Sequence, residues 1–69
     1  MDEEGSRVGR FVLVRDIDGR LHALSATAVT AICDDGDGGA VLMLSGGRVV
    51  RVDQPVVTAA ALLSGATRA

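Results

Sequence analysis

Aromatic side chains are almost absent from this sequence: Phe11 stands alone, without a single Trp or Tyr. A core without large rings buries little area per side chain, and a surface without them offers no platform on which bases stack. Lysine is absent as well. The seven cations are all Arg, set against nine acidic residues for a net charge of −2 and an isoelectric point near 5.0. That balance argues against a basic surface that neutralises phosphates, so direct nucleic-acid binding is not expected. Cys33 has no second cysteine to pair with, which fits a reducing compartment. With His22 as the lone histidine, one chain cannot assemble a zinc site, and no metal or cofactor is expected. The longest apolar run, residues 56–63, is interrupted by Thr58 and too short to span a bilayer. The opening MDEEGSRVGR lacks the apolar stretch of a signal peptide. The expected location is the cytoplasm, or the host cytoplasm for a phage-encoded chain, with no membrane partner.

What remains is small and aliphatic. Of 69 residues 48% are apolar, chiefly Ala, Val and Leu, which excludes a disordered chain. At this length one domain is expected, near the lower limit for folding without disulfides, metal or association. The division reads as an acidic flexible tail over 1–9, a single domain over 10–65 and a short tail over 66–69.

The pattern predicts an α+β fold: a small antiparallel β-sheet of four or five strands, built as two hairpins, with one C-terminal α-helix packed on it. Phe11-Val12-Leu13-Val14 is a β-rich run that ends in Asp16-Ile17-Asp18-Gly19, and Asp-Gly is a strong hairpin signal. With large apolar groups on both faces, this strand should be central in its sheet. A two- or four-residue loop joins Val12 and Val14 to Leu21 and Ala23 on one face. The other face then carries Phe11, Leu13, Arg15, Arg20, His22 and Leu24. Residues 25–28 read as a turn, and Val29, Thr30 and Ile32 as a strand running through Cys33. An acidic loop, Asp34-Asp35-Gly36-Asp37-Gly38-Gly39, leads into the second hairpin, turned by Ser45-Gly46-Gly47. There Val41, Met43, Val50 and Val52 should share one face, and Leu42, Leu44, Val49 and Arg51 the other. The helix is expected over 53–64, with Asp53 as N-cap, Pro55 in the first turn and Gly65 as the stop. Val56, Ala59, Ala60 and Leu63 form its core stripe. Val57, Ala61 and Leu62 leave the opposite side apolar too, which points to a homodimer or partner contact there.

The residues offer little catalytic chemistry. Asp35 and Asp37 match the start of a calcium loop, but Gly39, Ala40 and Gly46 stand where its later pattern needs other residues. The glycine clusters fit neither phosphate-binding pattern. A Cys33–His22 nucleophilic pair has no orienting third group in view, and no enzyme is expected. Arg15, Arg20 and His22 form a secondary polar patch on the first hairpin. Charge placement carries the functional signal: Asp16, Asp18, Asp34, Asp35 and Asp37 sit in turns, where Asp is at home. They also offer carboxylates to a protein partner with a basic surface.

Two resemblances follow. Val14-Arg15-Asp16-Ile17-Asp18-Gly19, Leu24-Ser25, Val29, Ile32 and Val41-Leu42-Met43-Leu44-Ser45-Gly46-Gly47 resemble the layout of the small FlbD-type flagellar regulators over 12–52. The Asp/Gly loop and the alanine-rich helix depart from that pattern. In size, acidity and lack of catalytic residues the chain also looks like the small phage and mobile-element inhibitors of the anti-CRISPR kind. That likeness implies stoichiometric, non-enzymatic binding to a nucleoprotein machine such as a Cas effector, with the acidic loops on its nucleic-acid-contacting surface. The FlbD likeness implies instead a cytosolic regulator of flagellar assembly or expression.

Overall fold

A computed structural model describes residues 4–64 of the chain. Its elements are β1 (Arg7–Val8), β2 (Phe11–Arg15), β3 (Leu21–Ser25), a 3-10 turn (Ala26–Ala28), β4 (Val29–Asp34), β5 (Ala40–Leu44), β6 (Val49–Val52) and α1 (Val56–Ser64). The strands form two three-stranded antiparallel sheets, in the orders β1-β2-β3 and β4-β5-β6. The α+β class therefore stands. The expected four or five strands of one sheet become six strands in two sheets.

Two local features account for the difference. The first is β1, which lies in the stretch expected to be tail and is only two residues long. Gly9, at φ 59°, turns the chain so that Arg7 pairs with Val12 and Val8 with Phe11. The second is the 3-10 turn, flanked by extended Ser25 and Val29. It redirects the backbone, and β4 joins a different sheet from β3. As expected, β2 is central in its sheet; β5 is central in the other.

All three turns between adjacent long strands close residue i on residue i+4. Asp16 N–H donates to Arg20 O at 2.9 Å, Asp35 N–H to Gly39 O at 3.2 Å and Leu44 N–H to Arg48 O at 2.8 Å. An odd, three-residue turn pairs residues of like parity, whereas two- and four-residue loops pair residues of unlike parity. Because side chains alternate along a strand, this one-residue difference moves every partner to the other face. The expected groupings are corrected accordingly. Val12 and Val14 face Leu24 and His22 across the ladder, while Leu13 and Arg15 face Ala23 and Leu21. In the other sheet Ala40 and Leu42 face Val52 and Val50, and Val41 and Met43 face Arg51 and Val49.

The core follows this parity. Val12, Val14, Ala40, Leu42, Val50, Val52, Ala59 and Leu63 are buried, with Leu24, Val29, Ile32, Leu44 and Val56 packed against them. It lies between the inner faces of the two sheets and one side of α1. Of the expected helical stripe, Ala59 and Leu63 are buried and Val56 partly so, whereas Ala60 is exposed. The helix also begins later than expected. Pro55 O accepts from Ala59 N–H at 2.9 Å, and Asp53 lies outside the helix, exposed, so it is not the N-cap. Gly65 and the tail over 66–69 lie outside the described residues, as do residues 1–3. The sheets are also joined through the backbone: Ile17 N–H donates to Arg51 O at 2.9 Å.

Leu42 is among the largest fully buried side chains and touches a core with no aromatic ring to close over a gap. Leu42→Ala should cost about 2–5 kcal/mol in urea unfolding, the range for a truncated core leucine. Val57→Ser, at a site 80% exposed, should stay within about 0.5 kcal/mol of the parent.

Candidate functional site

The two acidic turns share one construction. In residues 16–20, Asp16 Oδ1 accepts from Asp18 N–H at 2.8 Å and from Arg20 N–H at 2.9 Å. In residues 35–39, Asp35 Oδ1 accepts from Asp37 N–H at 2.7 Å and from Gly39 N–H at 3.0 Å. Each turn therefore spends its first carboxylate on backbone donors that a tight turn leaves without ladder partners. The residue fourth in each turn is a glycine at positive φ, Gly19 at 82° and Gly38 at 91°. A side chain there would be strained. Asp34 adds a third local bond, from Gly36 N–H to its Oδ1 at 2.6 Å. The acidic loop is thus a hydrogen-bonded turn.

The expected partner-binding carboxylates thus separate into two kinds. Asp16 and Asp35 are half-buried and turned onto their own backbone. Asp18 and Asp37 are exposed, stand third in their respective turns, and accept no hydrogen bond among the described residues. Both turns also reach the end of β6. Ile17 is bonded to Arg51 O, and Gly39 packs so closely that a Cβ there would stand 2.5 Å from Val52 O and 2.6 Å from Asp35 Oδ2. Two acidic turns from distant parts of the sequence thus touch the C-terminal end of β6, with Asp53 just beyond it in the chain.

Beside them lies a cleft of about 220 Å³ lined by Asp16, Ile17, Asp18, His22, Val49, Val50 and Arg51. His22 projects from the inner face of β3, opposite Val14, and its Nε2 lies 2.7 Å from Asp16 Oδ2. The bond from His22, with those from Arg20 and Asp18, holds the Asp16 carboxyl below its ordinary value, against a smaller opposing effect of desolvation. The pair braces the turn from the side-chain direction while Oδ1 braces it from the backbone.

The expected polar patch is divided by the register. Arg15 lies on the outer face opposite Leu21, where its Nη1 donates to Gly19 O at 2.9 Å. His22 is on the inner face, and Arg20 sits exposed in the turn. His22 therefore has Asp16, not two arginines, as its immediate charged neighbour. Cys33 is on the other sheet, with its Sγ donating to Met43 Sδ at 3.7 Å, so it does not pair with His22. Among the described residues no group of three or more His, Cys, Asp or Glu is arranged to hold a metal, and no helix is long and apolar enough to cross a membrane.

On α1, the expected contact residues are unequally placed. Val57 is fully open, but Ala61 and Leu62 are half-buried within the chain. Leu62 is packed against the backbone before β1: a Cβ on Gly5 would stand 3.0 Å from Leu62 Cδ2. The residues read as tail supply part of the helix's cover. Comparison with protein-family models, with curated proteins and with solved structures finds no match.

Asp16 makes the site's pH dependence calculable in sign. A carboxyl whose folded pKa is lowered stabilises the fold fully above its ordinary value of 3.8, and loses that contribution as pH falls through the folded value. Asp16→Asn should therefore be less stable than the parent at neutral pH, with the gap closing in acid below that value. Thermal melts across pH check it, and a gap that persists unchanged in acid contradicts the assignment. Gly39→Ala, which drives a methyl into Val52 O, should cost about 1–3 kcal/mol in the same melts.

Proposed function

We propose that this chain is a non-enzymatic, cytoplasmic protein-binding module whose acidic end docks on a basic surface of another macromolecule. The observation that carries the reading is the pairing of Asp18 and Asp37. Each is exposed and projects from a turn already braced by a neighbouring carboxylate. A turn whose backbone is already ordered loses little entropy on binding, and exposed negative groups meet a cationic groove with a high on-rate. The specific form of the reading is an inhibitor of the anti-CRISPR kind, occupying stoichiometrically the surface of a Cas effector that otherwise holds nucleic acid. Direct nucleic-acid binding fits poorly with an acidic end and a net charge of −2.

A second reading, a FlbD-like regulator of flagellar assembly or expression, draws on the order of elements. A hairpin, a 3-10 turn, a further strand, a second hairpin and a helix follow one another over 11–64. The two readings differ in what surrounds the gene: phage or mobile-element neighbours favour the inhibitor, flagellar neighbours the regulator.

A competition titration tests the first reading. Increasing amounts of the protein are added to a purified Cas effector holding labelled target duplex. Displacement should be complete near stoichiometric protein and weaken steeply with salt. The double variant Asp18→Lys/Asp37→Lys should displace at least about tenfold less well, while Asp53→Asn changes little. Duplex binding left intact at large excess overturns the anti-CRISPR form. Equal potency of the double variant overturns the assignment of Asp18 and Asp37.

A further inference from the structure

The outer face of the second sheet is an apolar surface with a charge gradient along it. Parity places Ala31, Cys33, Val41, Met43, Val49 and Arg51 on this one side. Met43 is 41% and Val49 54% exposed, and Arg51 is the only charged residue among the six. The two ends of the sheet differ in sign. At the β4–β5 end stand Asp34, Asp35 and Asp37; at the β5–β6 end stands Arg48, bonded through its carbonyl to Leu44. The ladder levels of Asp35–Gly39 and Leu44–Arg48 are five residues apart along β5, about 17 Å at the usual strand rise.

We infer that a second copy of this chain covers this face, the two sheets packing through a two-fold axis that lies across the strands between Val41 and Met43. Such an axis reverses strand direction between copies. Val41 of one copy then lies over Met43 of the other, and Arg48 of each comes to the acidic turn of its mate. Self-complementarity of this kind, apolar in the middle with opposite charges at the two ends, is what an isologous interface requires. The outer face of the first sheet is apolar too, with Val8 60%, Leu21 40% and Phe11 36% exposed, but its ends do not differ in sign. Arg15 and Arg20 stand beside Asp16 and Asp18 at the turn end, and at the other end Arg10 lies over the Phe11 ring at 5.3 Å. The helix is a weaker candidate, because Leu62 is packed on Gly5 and only Val57 of its three apolar outer residues stands clear. The inference does not depend on the acidic end having a foreign partner.

Sedimentation equilibrium of the full chain tests it. The parent should be dimeric at high micromolar concentration. Met43→Glu should raise the dissociation constant by roughly a hundredfold or more, since it buries a carboxylate against the mate's Val41 on both sides of the axis, with an unchanged circular dichroism spectrum. Val57→Glu should leave the dimer intact. Arg48→Glu should weaken the dimer, and Arg48→Glu/Asp37→Arg should restore it by exchanging the two ends. Cys33 should react with iodoacetamide more slowly as protein concentration rises through the dissociation constant. A parent that remains monomeric, a Met43→Glu dimer as tight as the parent, or dissociation by Val57→Glu in its place each overturns the inference. A charge exchange that fails to restore association overturns the antiparallel arrangement.

Discussion

Closure of each long hairpin on residues i and i+4 is the constraint from which the rest of the molecule follows. A backbone pair four residues apart leaves three residues in the turn, and an odd turn puts like-numbered parities on the same side of the sheet. For that reason Val12 and Val14 share a side with Leu24 and His22, and Leu42 shares one with Val50 and Val52. In a chain whose strands are apolar on both faces, hydrophobicity does not choose the side. The turns choose it, and they do so through carboxylates that accept backbone N–H groups and glycines that tolerate positive φ.

This shifts the meaning of the acidic residues. Asp is common in turns for local reasons, and in Asp16 and Asp35 the local reason consumes the side chain. The same construction leaves Asp18 and Asp37 with nothing local to do. A charge that is not needed by the turn, held on a turn that is otherwise fully braced, costs the fold little and is presented in a defined place. The bracing carboxylate and the outward one are thus two positions apart in the same short segment. The His22–Asp16 contact belongs with the bracing carboxylate.

Much of the fold is legible in the sequence. The long strands, the turn at residues 25–28, the central position of β2 and the helix all follow from β-branched runs, turn residues and spacing. Three things are not. The two-residue β1 sits among charged residues and has no apolar period of its own, so only pairing with β2 defines it. Asp53 reads as the start of the helix because Asp is a common N-cap, yet the chain bends there and the first turn hangs on Pro55 O. The faces depend on loop length, and an even loop puts every partner on the opposite side from the one observed. A signal against it exists: Asp two residues before Asp-Gly, in both Asp16-Ile17-Asp18-Gly19 and Asp35-Gly36-Asp37-Gly38, favours the three-residue turn with a left-handed third residue. Of the candidate site, the acidic turns are legible and the orientation of each carboxylate is not. Orientation depends on register.

The contact of Gly5 with Leu62 has a topological corollary. The three long hairpins consist of near neighbours in sequence and need only short loop closures to form. By contrast, Gly5–Leu62 and Ile17–Arg51 join parts of the chain that are far apart. Pairing within each sheet therefore needs only short loop closures, whereas joining the sheets closes long ones. The Gly5–Leu62 contact joins the two ends of the described chain, and it is complete only when both sheets and the helix are in place.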